Sequence, residues 1–258
     1  KEFAKMNSNS QMILQAENIT KRFGGMTAVN NVSFSLAKNE IAALIGANGA
    51  GKTTFFNILT GNYIPEEGAI YYKGQDITRL SPEIRVDLGI MRTFQLASTF
   101  DNLKVIDNLR LAYYRATNKF SLRKTFFSRM DRIVSAKIDE CLETFNLTKL
   151  ADRMTANISL GEKRVLEIAM SLVTDPEVLL LDEPFAGLSE VEIDECLTVL
   201  RQQVHKKTIL IVEHKISKIQ DLVEKVGVMV EGVMIASGET NEVLNCERVR
   251  KEYWKTAE

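Results

Sequence analysis

Eight consecutive residues, Gly46-Ala47-Asn48-Gly49-Ala50-Gly51-Lys52-Thr53, carry the plainest chemistry in this chain. Two glycines flank four residues and are followed by Lys-Thr, the spacing of a phosphate-binding loop. Lacking a Cβ, glycine lets a backbone wrap closely around phosphate oxygens with its N–H groups turned inward. The apolar run Ile41 to Ile45 precedes the loop, and the helix-like Thr54-Phe55-Phe56-Asn57-Ile58-Leu59 follows it. A helix N-terminus adds partial positive charge at the same place. Lys52 supplies a point charge for the outer phosphates, and the Thr53 hydroxyl can ligate Mg²⁺. Gly46, Asn48, Gly49, Ala50, Gly51, Lys52, Thr53 and Thr54 are therefore the candidate phosphate contacts. A glycine-rich turn that merely caps a helix has no need of Lys-Thr at its end.

A second signal lies far downstream, in Leu179-Leu180-Leu181-Asp182-Glu183-Pro184. It reads as a buried strand ending in two carboxylates. A carboxylate at the carboxyl end of a central parallel strand, beside a phosphate loop, is placed to organise Mg²⁺. Asp182 is assigned that role through the metal's water shell. Glu183 points the other way and is assigned the orientation and polarisation of an attacking water. The plainer reading, a strand end followed by an acidic turn, loses ground once a phosphate loop stands upstream.

The elements that position these residues fall into three parts. Residues 1–11 are a polar start, flexible or the remnant of a tag, without a signal-peptide core. Residues 12–97 are expected to form the nucleotide-binding core with its antiparallel β subdomain; up to about residue 78, Met12–Ile19, Val32–Leu36, Ile41–Ile45 and Ala69–Tyr72 read as strands, with one clear helix after the loop. Over residues 98–173 the spacing turns helical, in Val105–Arg115, Met130–Phe145 and Glu162–Val173. Within it, Lys119, Arg123, Lys124, Arg129, Arg132 and Lys137 stand against Asp131 alone, either a solvated face or a contact surface for an acidic or lipid-headgroup partner. Over residues 174–258 the α/β alternation returns. Val178–Leu181 and Thr208–Val212 read as strands, Glu190–Val204 and Ile216–Val223 as helices, and Lys225–Glu231 with Val233–Ser237 as a hairpin around Gly232. The expected class is α/β: a mixed, largely parallel core sheet, an antiparallel β subdomain and an inserted helical subdomain.

Composition narrows the function classes. Lys and Arg number 33 against 34 Asp and Glu, a net charge of −1, so no general attraction to nucleic acid or anionic membrane is implied. No apolar run approaches the roughly 18 residues that cross a bilayer. Cys141, Cys196 and Cys246 lie far apart, without zinc or disulfide spacing, and read as reduced packing residues of a cytosolic protein.

In order and spacing, these segments and several others resemble the ATP-binding-cassette (ABC) ATPase family over almost the whole length. Phe23, in Lys21-Arg22-Phe23-Gly24-Gly25, stands where that family places an aromatic that stacks on adenine. Gln95, in Arg92-Thr93-Phe94-Gln95, matches the glutamine that joins core to helical subdomain and helps hold Mg²⁺. Ile158-Ser159-Leu160-Gly161-Glu162 occupies the signature position, Ala186-Gly187-Leu188-Ser189 the D-loop, and His214 the switch histidine. The resemblance implies a P-loop NTPase fold, ATP and Mg²⁺ as ligands, and ATP hydrolysis with Lys52, Glu183 and His214 at the reacting phosphate. It further implies a dimer in which Ser159, Gly161 and Glu162 of one subunit meet the ATP held by the other. Ser159 with Glu162 also reads as a capping box opening a helix, which is compatible with an anion site.

Departures from the family pattern are specific. Leu160 replaces a glycine, Glu162 a glutamine, and Ser189 stands where Asp or Asn is common. They leave open a non-hydrolysing regulatory subunit, against which Lys52, Asp182, Glu183 and His214 all stand. A cassette protein acting on ribosomes or DNA is the other rival; such proteins usually carry two cassettes or long coiled coils. Arg22-Phe23-Gly24-Gly25, Asn57-Ile58-Leu59-Thr60-Gly61, Gly89-Ile90-Met91-Arg92-Thr93-Phe94-Gln95 and the tail from Arg248 to Tyr253 look like the importers of branched-chain amino acids. Urea and amide importers and lipopolysaccharide exporters share part of this. The expectation is a peripheral protein on the cytoplasmic membrane face, partnered by a second cassette, identical or different. Separate permease chains, and indirectly an extracytoplasmic binding protein, complete the expected set; nucleic acid is not among them.

Overall fold

The computed structural model describes residues 11–92, 99–116, 127–214 and 216–253. In chain order the strands are β1 Met12–Phe23, β2 Met26–Ala37, β3 Ile41–Ile45, β4 Glu67–Tyr72, β5 Gln75–Asp76, β6 Ile90–Arg92, β7 Val178–Asp182, β8 Thr208–Glu213, β9 Lys225–Val230 and β10 Val233–Glu239. The α-helices are α1 Lys52–Leu59, α2 Pro82–Asp87, α3 Val105–Ala116, α4 Phe127–Thr144, α5 Leu160–Leu172, α6 Glu190–Arg201, α7 Thr240–Asn245 and α8 Glu247–Glu252. The chain divides into two compact units, Lys1–Arg85 with Val204–Glu258, and Val86–Gln203.

The first unit holds two sheets. One is antiparallel, in the order β2-β1-β4-β5. Burial alternates in β2 over Val32–Leu36, while along β1 buried residues also fall in adjacent pairs where the register with β2 shifts. In the other, the strands run β10-β9-β3-β8. β3 pairs in parallel with both β8 and β9, while β9 and β10 form an antiparallel hairpin. Every residue of β3 (Ile-Ala-Ala-Leu-Ile) and of β8 is buried, as a strand covered on both faces requires. The register pairs Ile45 with Glu213, so the segments leaving β3 and β8 start side by side at the carboxyl edge. That edge is where open α/β sheets bind ligands.

The second unit pairs β6 with β7 in parallel, Arg92 opposite Leu180. Its helices α3 to α6 carry the segment 98–173 and the helix beyond β7. α5 packs against α3 and α6. Buried Leu109, Leu166, Ile168, Ala169, Leu197 and Leu200 supply apolar surface to this core.

Two expectations need correction. Ile216–Val223 is not an α-helix: only Ile216–Lys218 is helical, of the 3₁₀ type, and turns follow. The N–H of Ile219 donates to the Ile216 carbonyl and that of Leu222 to the Ile219 carbonyl, both at 2.9 Å. Buried Ile216, Ile219 and Leu222 recur every third residue, which a tight three-residue turn satisfies. Of the cysteines, Cys141 and Cys196 are buried packing residues with thiols pushed up to about 12 by burial. Cys246 is exposed, because it lies between α7 and α8 rather than inside either. The basic run from Lys119 falls largely outside the described residues.

Candidate nucleotide site

The loop between β3 and α1 is shaped by backbone contacts that exclude side chains. A methyl group built at Gly46 would lie 2.3 Å from the Met229 carbonyl oxygen, and one at Gly51 2.3 Å from that of Ala28. Gly49 and Gly51 have φ of 79° and 91°, the left-handed region that glycine enters without strain. The Ala50 carbonyl accepts from the Gly232 N–H at 3.1 Å, and the Gly232 carbonyl accepts from Asn30 at 2.8 Å. The turn of the β9–β10 hairpin thus braces the loop. Gly51 is the N-cap of α1 and provides no side-chain cap; the first turn has no acidic residue. Its leading amides and dipole therefore meet no local carboxylate, as an anion site needs.

Lys52 is buried and folds back over this loop. Its Nζ donates to the carbonyls of Gly46 at 2.6 Å and Ala47 at 3.0 Å, and lies 3.4 Å from His214 Nδ1. The pairing of β3 with β8 brings these two residues together from opposite ends of the sequence. Glu213 ends β8, and its carboxylate accepts from the His214 N–H at 3.2 Å. The Tyr253 hydroxyl, just past α8, donates to the His214 carbonyl. Burial, and secondarily the charge of Glu213, pushes that phenol up to about 12. Thr53 is exposed and Thr54 half-buried in the first turn of α1.

In the second unit, Asp182 ends β7 with its side chain fully buried. Arg92 Nη2 donates to Asp182 Oδ2 at 3.0 Å. Arg92 is in register with Leu180, and Asp182 stands two residues further on the same face, so strand geometry brings the charges together. Glu183 has φ 48°, which ends the strand and breaks its alternation. A non-glycine residue in that region is backbone strain of the kind that gathers at active sites. The next turns, closed by Ala186 N–H to the Glu183 carbonyl at 3.2 Å, lead through Gly187 to Ser189.

Ser159 and Ser189 each open a helix with a reciprocal capping box. Ser159 Oγ accepts from Glu162 N–H and the Glu162 carboxylate from Ser159 N–H; Glu192 does the same for Ser189. Glu192 also reaches across to accept from the Gly161 N–H at 2.8 Å. A methyl group at Gly161 would lie 2.6 Å from Glu192 Cγ, so this approach requires glycine. The Ser189 and Gly161 bonds hold the Glu192 carboxyl below its usual range. Leu160, by contrast, is exposed.

Comparison with known proteins agrees with this geometry. The profile of the ABC transporter family matches residues 29–186, more than half of the chain. The chain belongs to the ABC transporter family. This cassette is 38% identical over 251 residues to the high-affinity branched-chain amino acid transport ATP-binding protein LivG of Salmonella typhimurium, covering 95% of the chain and 98% of LivG. It is 34% identical to BraF of Pseudomonas aeruginosa, a protein of the same description, over 95% and 98% of the two chains. The lipopolysaccharide export system ATP-binding protein LptB of Haemophilus influenzae is 34% identical over 93% of this chain and 96% of its own. Among solved structures, the ADP conformation of MJ1267, an ATP-binding cassette of an ABC transporter, matches with TM-score 0.81 at 30% identity, over 93% and 97% of the chains.

Two further residues of the cassette, Phe23 and Gln95, are singled out by its sequence. Phe23, at the end of β1, is exposed and meets Tyr63 edge-on, ring centres 5.3 Å apart. Lys21 Nζ lies 5.4 Å from the same ring. Gln95 lies outside the described residues. Glu192, by contrast, escaped sequence reading: the spacing Ser189 to Glu192 is a capping-box signal, but its reach to Gly161 is a tertiary contact. No group of three or more His, Cys, Asp or Glu among the described residues is arranged to hold a metal. Thr53, exposed in the first turn of α1, and Asp182, at the end of β7, each offer an oxygen of the kind Mg²⁺ takes, an ion commonly held by few protein oxygens together with substrate phosphates. Among the described residues no helix is long and apolar enough to cross a membrane.

Proposed function

We propose that this cassette is the ATP-hydrolysing subunit of a transporter that imports branched-chain or related amino acids through separate permease chains. Its likeness to LivG over nearly the full length of both chains carries the reading. Likeness to LptB over a similar span supports a second reading, a lipopolysaccharide exporter. In either case the cassette is a peripheral subunit at the cytoplasmic membrane face, paired with a second cassette. An importer also needs an extracytoplasmic binding protein.

ATP is the substrate. The loop amides of Gly46, Asn48, Gly49, Ala50 and Gly51, with Thr54 in the first helical turn, bind its phosphates, and Phe23 stacks on adenine. Lys52, whose ammonium donates to the loop carbonyls, would turn that ammonium to the outer phosphates and pair with their charge. Thr53, Gln95 and Asp182 are the residues that would hold Mg²⁺, which would supply neutralising charge for the transferred phosphoryl group. Glu183 orients the attacking water and accepts its proton. His214, beside Lys52, contacts the γ-phosphate. Ser159, Gly161 and Glu162 of the partner subunit complete the enclosure. Rate enhancement rests on positioning and on charge placed in advance.

Replacing Glu183 by Gln keeps shape and removes the base. Turnover of ATP by the purified protein should fall by about 10²-fold or more, while equilibrium ATP binding persists. Unchanged turnover would reject the role of Glu183. For cargo, the reconstituted complex should hydrolyse ATP faster with a binding protein loaded with leucine. Stimulation by lipopolysaccharide instead would favour the exporter.

A further inference from the structure

Phe23, the last residue of β1, and Tyr63, in the segment between α1 and β4, form an aromatic pair on the surface. They are 40% and 39% exposed, so burial in a core does not account for the contact. Met26, opposite Phe23 in the register of β1 with β2, and Ile64, next to Tyr63, are exposed as well. Large apolar side chains exposed together mark a binding surface more often than ones scattered singly. The two ring planes meet at 71° with centres 5.3 Å apart, an edge-to-face contact. Lys21 places Nζ 5.4 Å from the centre of the Phe23 ring, within cation–π range.

Both neighbours of that ring are anchored through the segment that follows α1. Lys21 Nζ donates to the Ile64 carbonyl at 2.9 Å and to Glu66 Oε1 at 2.7 Å. The Glu66 carboxylate also accepts from the Arg22 N–H at 2.8 Å, and the Glu66 N–H donates to the Thr20 carbonyl at 2.9 Å. The Tyr63 N–H donates to the carbonyl of Asn57, within α1, at 3.1 Å. The end of β1 is thus stitched to a segment that is itself tied to α1, the helix that starts at Lys52 of the phosphate loop.

We propose that Tyr63 is a positioning residue for the base of the nucleotide. This rests on the reading above in which Phe23 stacks on adenine. A phenylalanine side chain at an exposed strand end can take several rotamers, not all of which turn a face to a base. An edge-on neighbour restricts that freedom before the nucleotide arrives, so less ordering is left for binding to offset. Because Tyr63 is bonded to α1, it also fixes the ring relative to the helix whose first turn carries Lys52 and Thr53. Tyr63 therefore adds to the affinity for a nucleotide and adds nothing to the affinity for a polyphosphate without a base.

Isothermal titration calorimetry of the full chain with Mg-ADP and with inorganic tripolyphosphate separates the two affinities. Phe23→Ala should weaken ADP about tenfold, the loss of one stacked base. Tyr63→Ala should weaken ADP about fivefold, the scale of one aromatic pair, and leave tripolyphosphate unchanged. Tyr63→Phe keeps the ring edge and should bind ADP as the unmodified protein does. On the Phe23→Ala background, Tyr63→Ala should cost no further ADP affinity, since the ring it positions is gone. Should Tyr63→Ala fail to fold, Tyr63→Leu keeps apolar bulk without the aromatic edge, and the same loss is expected. Phe23→Ala weakening ADP while Tyr63→Ala does not would overturn the role of Tyr63 and leave the stacking reading standing. An equal loss for ADP and tripolyphosphate in Tyr63→Ala, or an undiminished loss on the Phe23→Ala background, overturns it as well. Phe23→Ala with undiminished ADP affinity overturns both the stacking reading and the proposal.

Discussion

At the scale of single residues, the loop after β3 shows why side-chain size rather than polarity selects its glycines. Gly46 and Gly51 sit against backbone carbonyls that cannot move without disturbing β9 and β2, the strands that contain Met229 and Ala28. Gly51 is the more demanding, since its φ of 91° is also unfavourable for any L side chain. Gly51→Ala should therefore lower stability by about 2 kcal/mol or more, combining backbone strain with a forced shift of the Ala28 carbonyl. Urea unfolding measures the loss. Nucleotide affinity should fall with it, because under the proposed reading the Gly51 amide is one of those that bind the phosphates. An Ala variant with unchanged midpoint and affinity would contradict the close approach.

At the scale of elements, α1 is held at both ends by groups it does not contain. Its N-terminus belongs to the phosphate loop. Its C-terminus is closed by Arg85, whose guanidinium donates to the carbonyls of Ile58 and Leu59 at 2.8 and 2.7 Å. The same group donates to Ile77, Thr78 and Leu80, so one buried cation ties the helix end to the loop before α2. Burial lowers its pKa to about 10, and Asp76 opposes that shift. The cation also sits where the helix dipole is negative. Arg85→Ala would leave several buried carbonyls unsatisfied and should cost about 3 kcal/mol or more. Chemical denaturation reads this directly. Arg85→Lys should recover only part, because a point charge cannot serve carbonyls on both sides as a planar fork does.

At the scale of the whole molecule, the family reading requires two cassettes for each complete site. The Glu183→Gln variant, expected to bind ATP but to split it far more slowly, should run as a dimer in size exclusion with ATP and Mg²⁺, and as a monomer without nucleotide. Light scattering gives the mass. A monomer under both conditions would speak against a homodimer and direct the search to a different partner cassette.

Local sequence determined much of this protein. A continuous apolar run, then glycines, then Lys-Thr is enough to specify β3, a tight loop and α1, because strand burial, positive φ and helix start are each local demands. The spacing from Ser159 to Glu162 likewise specified the capping box that the structure contains. Tertiary structure alone decided which distant residues meet. Lys52 lies beside His214 because β3 and β8 are adjacent and parallel, and Arg92 reaches Asp182 because β6 pairs with β7 in one register. Glu192 reaches Gly161 because α5 packs against α6. Strand order and helix packing are choices among arrangements that satisfy the same local patterns, so periodicity cannot read them. The short turns at 216–222 mark the same limit: apolar residues every third position suit a 3₁₀ turn as well as a helix, and packing makes the selection.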